Sequence, residues 1–194
     1  MCSQFELNTR PDDLTRCFDL DGVPDQLTQG EIRPNNHTIC VGPDGSFMNR
    51  WGLKVDWDSK PLINARAETL NKKPTFQPLL NSRCLVPASA YFEWRREGKV
   101  RFKNRITTPN LRLFAFAGLT DGENVTLVTC QPVPSIAQIH SRMPVILSPD
   151  DQKTWIDAER DYHDVAHLVL PRLDLELTAD EEAPSSPRQG DLFD

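Results

Sequence analysis

The sequence has no long apolar run and no paired cysteine motif. Among its 194 residues, no stretch approaches the roughly 18 consecutive apolar residues of a membrane-spanning helix, and its start lacks the basic and apolar regions of a signal peptide. The five cysteines are an odd number without C-x-x-C spacing, which argues against a disulfide framework and a zinc site. These absences predict a cytoplasmic protein with reduced thiols and no contact with a membrane.

The sequence also gives no sign of a cofactor or a metal. His163 and His167 are four residues apart on a predicted helix, a spacing that can hold a metal ion. No third ligand lies near them in the sequence, so we expect neither a metal site nor a cofactor.

Charge is distributed unevenly along the chain. The net charge of −6 comes from residues 174–194, which hold seven acidic residues and one basic residue, Arg188. Residues 1–173 are balanced, and within them residues 50–105 hold 13 basic residues against five acidic ones. A local excess of cations is typical of a phosphate-binding surface; the alternative is a set of solvated faces. The acidic total therefore does not exclude a nucleic-acid partner.

Composition predicts one globular domain at residues 1–173 and an acidic, disordered tail at residues 174–194. The tail ends in QGDLFD at residues 189–194. This ending is similar to the Gln-x-(Asp/Ser)-Leu-Phe peptide with which bacterial replication and repair proteins dock on the DNA sliding clamp. On that resemblance Gln189, Leu192 and Phe193 would bind the clamp; the alternative is a tail that only keeps the protein soluble.

Hydrophobic patterns predict several strands and a few short helices. Leu14 and Cys17 are expected to face the core from the first helix. Helices are predicted at residues 11–20, from residue 134, and from residue 149 after a Ser148 cap. Strands are predicted at residues 5–7, 38–41, 46–51, 84–87, 90–95, 100–105, 113–119 and 125–129.

Three polar residues lie in contexts that invite a functional interpretation. Asn64 precedes a polar segment with Arg66 and Glu68, and we predict that it caps a short helix. Glu93 lies in a strand between two aromatic residues, where glutamate is depleted and apolar neighbours raise the pKa of a carboxyl group. A surface glutamate paired with an arginine is the alternative. His140 lies near an apolar segment, where a lone histidine is more often structural than catalytic.

The first two residues, Met1 and Cys2, offer a chemistry that internal cysteines lack. Removal of Met1 would leave Cys2 with a free α-amine and a thiol on adjacent carbons. The amine, with an ordinary pKa of roughly 8, can condense with an aldehyde to an imine, and the thiol can then close a five-membered thiazolidine ring. The alternative is that Cys2 merely follows the start codon.

Several motifs together match the order seen in one family. They are Cys2, WGL at residues 51–53, INARAET at 63–69, RCLVPA at 83–88, YFEW at 91–94 and IHSRMPVIL at 139–147. In this combination the chain resembles the SRAP (SOS-response-associated peptidase) family over roughly residues 1–172. These proteins shield abasic sites in single-stranded DNA. For this chain we therefore expect a bacterial protein of the cytoplasm that is associated with the nucleoid. The resemblance implies an α+β domain with a strongly bent, barrel-like and mainly antiparallel sheet flanked by short helices.

The resemblance also implies roles for individual residues. Cys2 would be the nucleophile, Asn64 the orienting amide, Glu93 the acid/base carboxylate and His140 a proton donor to the sugar ring oxygen. The product would be a DNA–protein crosslink, formed by a lyase-like activity that accompanies self-processing by a peptidase activity. The residues expected to hold phosphates or stack on bases are Trp51, Arg66, Arg101, Lys103, Arg105 and Arg142.

The sequence departs from the family at two places. The family continues after its cysteine with Gly-Arg, where this chain has Ser3 and Gln4, and residues 33–36 differ from its usual Ala-Pro-Thr loop. One phosphate contact is therefore expected to be missing. Two other functions stay open: a thiol peptidase in which Cys2 pairs with His140, and a single-stranded DNA binder without catalysis.

Overall fold

Strands make up most of the chain that the structure describes. The computed structural model describes residues 2–172 and 174–182. Its strands are β1 (Phe5–Leu7), β2 (Gly30–Ile32), β3 (His37–Gly42), β4 (Gly45–Trp51), β5 (Leu53–Val55), β6 (Asp58–Leu62), β7 (Asn64–Arg66), β8 (Arg83–Ala88), β9 (Ala90–Glu97), β10 (Val100–Thr107), β11 (Phe114–Thr120), β12 (Asn124–Cys130), β13 (Met143–Pro144), β14 (Ile146–Leu147) and β15 (Thr178–Glu181).

The helices are short and lie between the strands. The α-helices are α1 (Pro11–Phe18), α2 (Pro134–Ala137), α3 (Pro149–Ile156) and α4 (Tyr162–Val165), and 3₁₀ helices span Ala67–Lys72, Gln77–Leu79 and Ala166–Val169. Helix α3 begins as predicted, because the Ser148 side chain accepts a hydrogen bond from the Asp151 backbone N–H. Its Trp155 is fully buried and donates from Nε1 to the Cys84 carbonyl at 3.1 Å, which holds the helix on β8.

Five strands close into a barrel. They are hydrogen-bonded in the order β12–β4–β3–β8–β11, and β11 pairs again with β12. The ring is antiparallel except where β12 runs parallel to β4. Strands β8, β11 and β12 are buried almost throughout, as expected for strands that line a closed core.

Strand β12 has more neighbours than β4 and β11. It also pairs in parallel with β7, where Leu127 lies opposite Asn64, and antiparallel with β13, where Cys130 lies opposite Met143. One strand therefore fixes the positions of two segments that are far apart in sequence.

A second sheet carries the beginning of the chain. Its order is β15–β10–β9–β1–β2, with antiparallel pairs throughout. Strand β1 lies between β9 and β2, and its Phe5 packs edge-on against Trp51 and Phe116 with ring centroids 4.9 and 5.7 Å apart. The residues just before β1 are thereby held against the barrel.

The predicted α+β class and mainly antiparallel architecture are confirmed. The strands predicted at residues 38–41 and 46–51 form a hairpin of β3 and β4, in which His37 pairs with Arg50 and Gly42 with Gly45. Leu14 is fully buried as expected, but the prediction for Cys17 is wrong, because its side chain is exposed. Within the described residues, no helix is long and apolar enough to cross a membrane.

The expectation of disorder from residue 174 is wrong for the segment that forms β15. Thr178 to Glu181 pair with residues 104–107 of β10, and the Glu182 N–H donates to the Lys103 carbonyl at 2.8 Å. The physical reason is that β10 would otherwise present an open edge of unpaired backbone groups. Residues 183–194, with the predicted clamp peptide, lie outside the described part of the chain.

Candidate functional site

Cys2 lies just ahead of β1 and is fully buried. Its Sγ lies 3.5 Å from the Gln4 carbonyl oxygen, to which the thiol donates. Burial is the main cause that raises the pKa of this thiol far above its ordinary value, and the Glu93 carboxylate adds to the effect. At neutral pH the side chain is therefore a thiol, and a thiolate must be generated during any reaction.

Asn64 holds the backbone of Cys2. Its Nδ2 donates to the Cys2 carbonyl oxygen at 2.7 Å, while its Oδ1 is buried without a hydrogen-bond partner among the described residues. The prediction that Asn64 caps a helix is wrong. It is the first residue of β7, because pairing with β12 satisfies the backbone of this segment before the 3₁₀ helix Ala67–Lys72 begins.

Glu93 lies on β9 with only 2% of its surface exposed, which confirms the expected burial of this carboxyl group. Removal from water disfavours the charged form and raises the pKa of Glu93 from 4.5 to about 7. A carboxyl group of this kind can both accept and return a proton at physiological pH.

His140 faces Glu93 from the segment after α2. Its Nε2 lies 3.8 Å from Glu93 Oε2. On the other side of the ring, Nδ1 lies 3.1 Å from the Arg142 backbone N–H. That N–H can only donate, so it favours the neutral imidazole with its proton on Nε2, toward Glu93. The Arg142 carbonyl oxygen, 3.2 Å from the same Nδ1, can only accept and favours the neutral imidazole with its proton on Nδ1. Burial lowers the pKa of His140, which favours the neutral imidazole.

These four residues meet in space although they are up to 138 positions apart in sequence, from Cys2 to His140. The structure thus brings together the predicted catalytic set: the thiol, the amide that fixes its backbone, and a carboxyl–imidazole pair.

Arg142 does not face solvent as a phosphate-binding residue would. Its guanidinium makes two hydrogen bonds to Glu68, at 2.6 and 2.9 Å, and one to the Thr129 carbonyl at 2.6 Å, and the side chain is only 14% exposed. The prediction that Arg142 contacts DNA directly is therefore corrected: it anchors the segment whose backbone N–H orients His140.

Trp51 is also placed differently from the prediction. The indole is fully buried, packs on Phe5 and donates from Nε1 to the Ile63 carbonyl at 2.9 Å, so it cannot stack on a base. Trp57, in the turn between β5 and β6, is instead 68% exposed. The sequence holds a signal for this difference, because Asp and Lys residues flank Trp57 on both sides, whereas Trp51 is the last residue of the strand predicted at residues 46–51.

The predicted basic face exists, but acids neutralise part of it. Lys103 Nζ lies 3.1 Å from Glu31 and 2.9 Å from Glu182, and Arg105 pairs with Glu6 at 2.7 Å. Arg66 and Arg101 are exposed and make no ion pair among the described residues. Arg101 lies over the Trp94 ring, 5.4 Å from its centroid. Arg66 and Arg101 are therefore better placed than Lys103 or Arg105 to meet a phosphate.

A groove of about 850 Å³ runs beside the start of the chain. Gln4 lies in its wall and is only 4% exposed, with its Nε2 buried and unpartnered among the described residues. The groove is lined by Ser3, Gln4, Arg33, Pro34, Trp94, Val100, Arg101, Phe102, Lys103 and Glu182. It therefore connects the cationic face of β10 to the residues that follow Cys2.

The described residues contain no group of three or more His, Cys, Asp or Glu side chains that could hold a metal ion. His163 and His167 lie on α4 and in the 3₁₀ helix that follows it, with no third ligand joining them within the described part of the chain.

The combination of this α+β fold with Cys2 next to Asn64, Glu93 and His140 is typical of one family of proteins. The chain belongs to the SOS response associated peptidase (SRAP) family, whose model matches residues 1–181. It is 34% identical over 200 residues to the abasic site processing protein YoqW of Bacillus subtilis (strain 168), covering 90% of this chain and 88% of that protein. It is 26% identical over 181 residues to the abasic site processing protein YedK of Escherichia coli (strain K12), covering 82% and 81%.

Solved structures show the same fold. A crystal structure of a Bordetella bronchiseptica protein matches with a TM-score of 0.82 at 21% identity, covering 94% of this chain and all (100%) of that one. A Bacteroides thetaiotaomicron protein matches with a TM-score of 0.81 at 21% identity, covering 94% and 93%.

Replacing Glu93 with Gln should stabilise the protein at high pH and leave it unchanged at low pH. The folded wild-type protein binds the Glu93 proton more tightly than the unfolded chain does. This proton therefore stabilises the wild type fully below pH 4.5, and that stabilisation is lost as the pH rises through about 7. Glu93→Gln should therefore be more stable than wild type by about 3 kcal/mol at pH 8 and equally stable near pH 4. Urea denaturation at both pH values measures the difference.

Glu68→Gln is the matched control. The hydrogen bonds from Arg142 hold the pKa of Glu68 below its ordinary value, so its loss should destabilise the protein at pH 8. If Glu93→Gln were also less stable than wild type at pH 8, the burial argument would be wrong.

Proposed function

We propose that this protein recognises abasic sites in single-stranded DNA and crosslinks to them through Cys2 after removal of Met1. The observation that carries the proposal is the meeting of Cys2, Asn64 and the Glu93–His140 pair, with the next two residues of the chain, Ser3 and Gln4, in the wall of a groove that also holds the exposed Arg101. The names of the relatives, abasic site processing proteins, support the same substrate. The proposed partner is therefore single-stranded DNA, and the proposed location is the bacterial cytoplasm, in association with the nucleoid.

The first step is imine formation. An abasic sugar is mostly a closed hemiacetal, and opening it requires a proton at the ring oxygen and removal of the C1 hydroxyl proton. His140, neutral at rest, takes a proton from the neighbouring Glu93 carboxyl group and donates it to the ring oxygen, while the C1 hydroxyl proton goes to the Glu93 carboxylate and the aldehyde is exposed. The Cys2 amine then attacks the aldehyde carbon and forms a C–N bond. Glu93 takes a proton from the amine and returns it to the hydroxyl group, which leaves as water. Asn64, which already holds the Cys2 carbonyl, keeps the amine in attacking geometry.

The second step is ring closure. The Cys2 sulfur loses its proton to the Glu93 carboxylate and attacks the imine carbon, and the electron pair of the C=N bond moves to nitrogen, which takes a proton. The product is a thiazolidine that joins the chain to DNA.

Thiol peptidase activity on added peptides is less well supported. Cysteine proteases depend on a lowered thiol pKa, whereas burial raises the pKa of Cys2 here. Chemistry that begins with the amine does not need a resting thiolate. Self-processing at Met1 remains compatible with the same groups. A protein that only bound single-stranded DNA would have no functional need for the buried carboxyl–imidazole pair.

DNA binding is assigned to the groove and the exposed groups around it. Arg66 and Arg101 are proposed to meet phosphates, and Trp57 is proposed to stack on a base in place of Trp51. Gln4 lies in the groove wall where the family has arginine, so this part of the wall adds no positive charge to the groove.

Cys2→Ala should separate the roles of the amine and the thiol. The mature variant keeps a terminal amine, so borohydride should still trap an imine with an abasic oligonucleotide, but no heat-stable adduct should form without the reductant. Glu93→Gln and His140→Ala should form the adduct at least about tenfold more slowly, since acid–base groups contribute about 10²–10⁴-fold. Denaturing gels and intact mass measure adducts and Met1 removal together.

Equal heat-stable crosslinking by wild type and Cys2→Ala would disprove the mechanism. Cleavage of an added peptide by wild type, without any DNA adduct, would instead favour the peptidase function.

Replacing Glu181 and Glu182 with Gln should strengthen binding to single-stranded DNA. Glu181 lies 2.6 Å from Arg95, and Glu182 lies 2.9 Å from Lys103, so phosphates must compete with them for these cations. We expect affinity to rise several-fold at low salt. The slope of log affinity against log salt should steepen by at most about 0.7 for each of the two cations, because Arg95 keeps Glu97 and Lys103 keeps Glu31 as a partner. Fluorescence anisotropy with an intact oligonucleotide measures both.

Glu176→Gln is the control, because exposed Glu176 makes no ion pair among the described residues. An equal gain in affinity in that variant would show that only total charge matters. No gain in either variant would show that these glutamates do not compete with phosphates for Arg95 and Lys103.

The tail is proposed to bind the sliding clamp through Gln189, Leu192 and Phe193. Deleting residues 189–194 should abolish capture by purified clamp and leave crosslinking to abasic DNA unchanged. Leu170→Ala, at an exposed apolar residue of the domain, is the control. Clamp capture that survives the deletion would exclude this peptide as the contact.

A further inference from the structure

The hydroxyl group of Tyr91 has no hydrogen-bond partner among the described residues, although the side chain is fully buried. The ring is accounted for by packing, since it lies edge-on to Phe116 with centroids 6.1 Å apart. Phenylalanine would make the same ring contact without burying a polar atom. An unsatisfied buried hydroxyl group costs folding free energy and therefore calls for another explanation.

The position of Tyr91 supplies that explanation. Tyr91 and Glu93 are two residues apart on β9, so both side chains leave the same face of the strand. Tyr91 lies opposite Phe5 of β1, three residues after Cys2. Burial raises the pKa of Tyr91 well above its ordinary value, and the charged forms of Cys2 and, to a smaller extent, Glu93 raise it further. The hydroxyl group is thus a neutral donor in the same electrostatic environment as the thiol and the carboxyl group.

The reacting sulfur needs such a donor. At rest, Cys2 Sγ faces the carbonyl oxygen of Gln4, an acceptor that suits a thiol and repels a thiolate. When the thiol proton moves to Glu93, the sulfur must turn from that oxygen toward a hydrogen-bond donor. Gln4 Nε2 is also buried and unpartnered among the described residues, so it is the competing donor from which the experiment must separate Tyr91.

We propose that the Tyr91 hydroxyl group donates a hydrogen bond to the Cys2 sulfur as it becomes a thiolate and closes the thiazolidine ring. The inference rests on the proposed function and adds a residue to its second step. The thiol proton goes to Glu93, the C–S bond forms at the imine carbon, and the C=N electron pair goes to nitrogen, which is protonated. Tyr91 keeps its own proton throughout.

Tyr91→Phe tests this role, with Tyr162→Phe as the matched control. The chain has two tyrosines, and Tyr162 is also buried, but burial alone raises its pKa. With an abasic oligonucleotide, borohydride trapping reports imine formation and heat-stable adduct reports ring closure. Tyr91→Phe should form the imine at the wild-type rate and close the ring about tenfold more slowly, because a hydrogen bond to a charged atom is lost. The pH–rate profile of ring closure should move to higher pH.

Tyr162→Phe should match wild type in both steps. The urea midpoint of Tyr91→Phe should equal or exceed that of wild type, which separates the effect from misfolding. Ring closure by Tyr91→Phe at the wild-type rate and pH profile would overturn the inference and leave the crosslinking mechanism standing; that result would favour Gln4 as the donor. A wild-type protein that forms no adduct would overturn both.

Discussion

The removal of the Glu93 carboxyl group from water is the constraint on which the candidate site depends. A carboxyl group on an exposed strand would be ionised at neutral pH and could only accept a proton. Buried on β9, it titrates near neutrality, so one side chain can serve as base and then as acid. The same burial keeps the Cys2 thiol protonated and His140 neutral, so all three groups begin in forms from which protons can move between them.

The cationic surface is shaped as much by its acids as by its bases. Counting residues 50–105 gives an excess of positive charge, yet Lys103 and Arg105 are held by Glu31, Glu182 and Glu6. Part of the acidic tail is therefore not a detached appendage, because β15 lies along the basic strand β10. The local field that a nucleic acid meets depends on this pairing rather than on the charge of either segment alone.

Local pattern predicted most strands and the burial of Glu93, because alternation with aromatic neighbours reflects the sheet itself. It could not predict features that depend on distant partners. Asn64 was predicted to cap a helix because the strand pairing that fixes its conformation is with Leu127 of β12, 63 positions away in the sequence. The acids and lysines around Trp57 indicate its exposure, but the full burial of Trp51, which follows Arg50, depends on the closed barrel. The role of Tyr91 was missed because an unpartnered hydroxyl group is visible only in three dimensions.

Strand β12 contributes none of the proposed catalytic side chains, but its register locates several of them. Leu127 lies opposite Asn64, Cys130 lies opposite Met143, and the Thr129 carbonyl accepts from Arg142 beside His140. A strand tolerates many substitutions that keep its alternation, whereas a shift by one residue reverses every side chain. An insertion or deletion in β12 would therefore move both halves of the site at once, which makes the length of this buried strand a stronger constraint on the site than the identity of any one of its side chains.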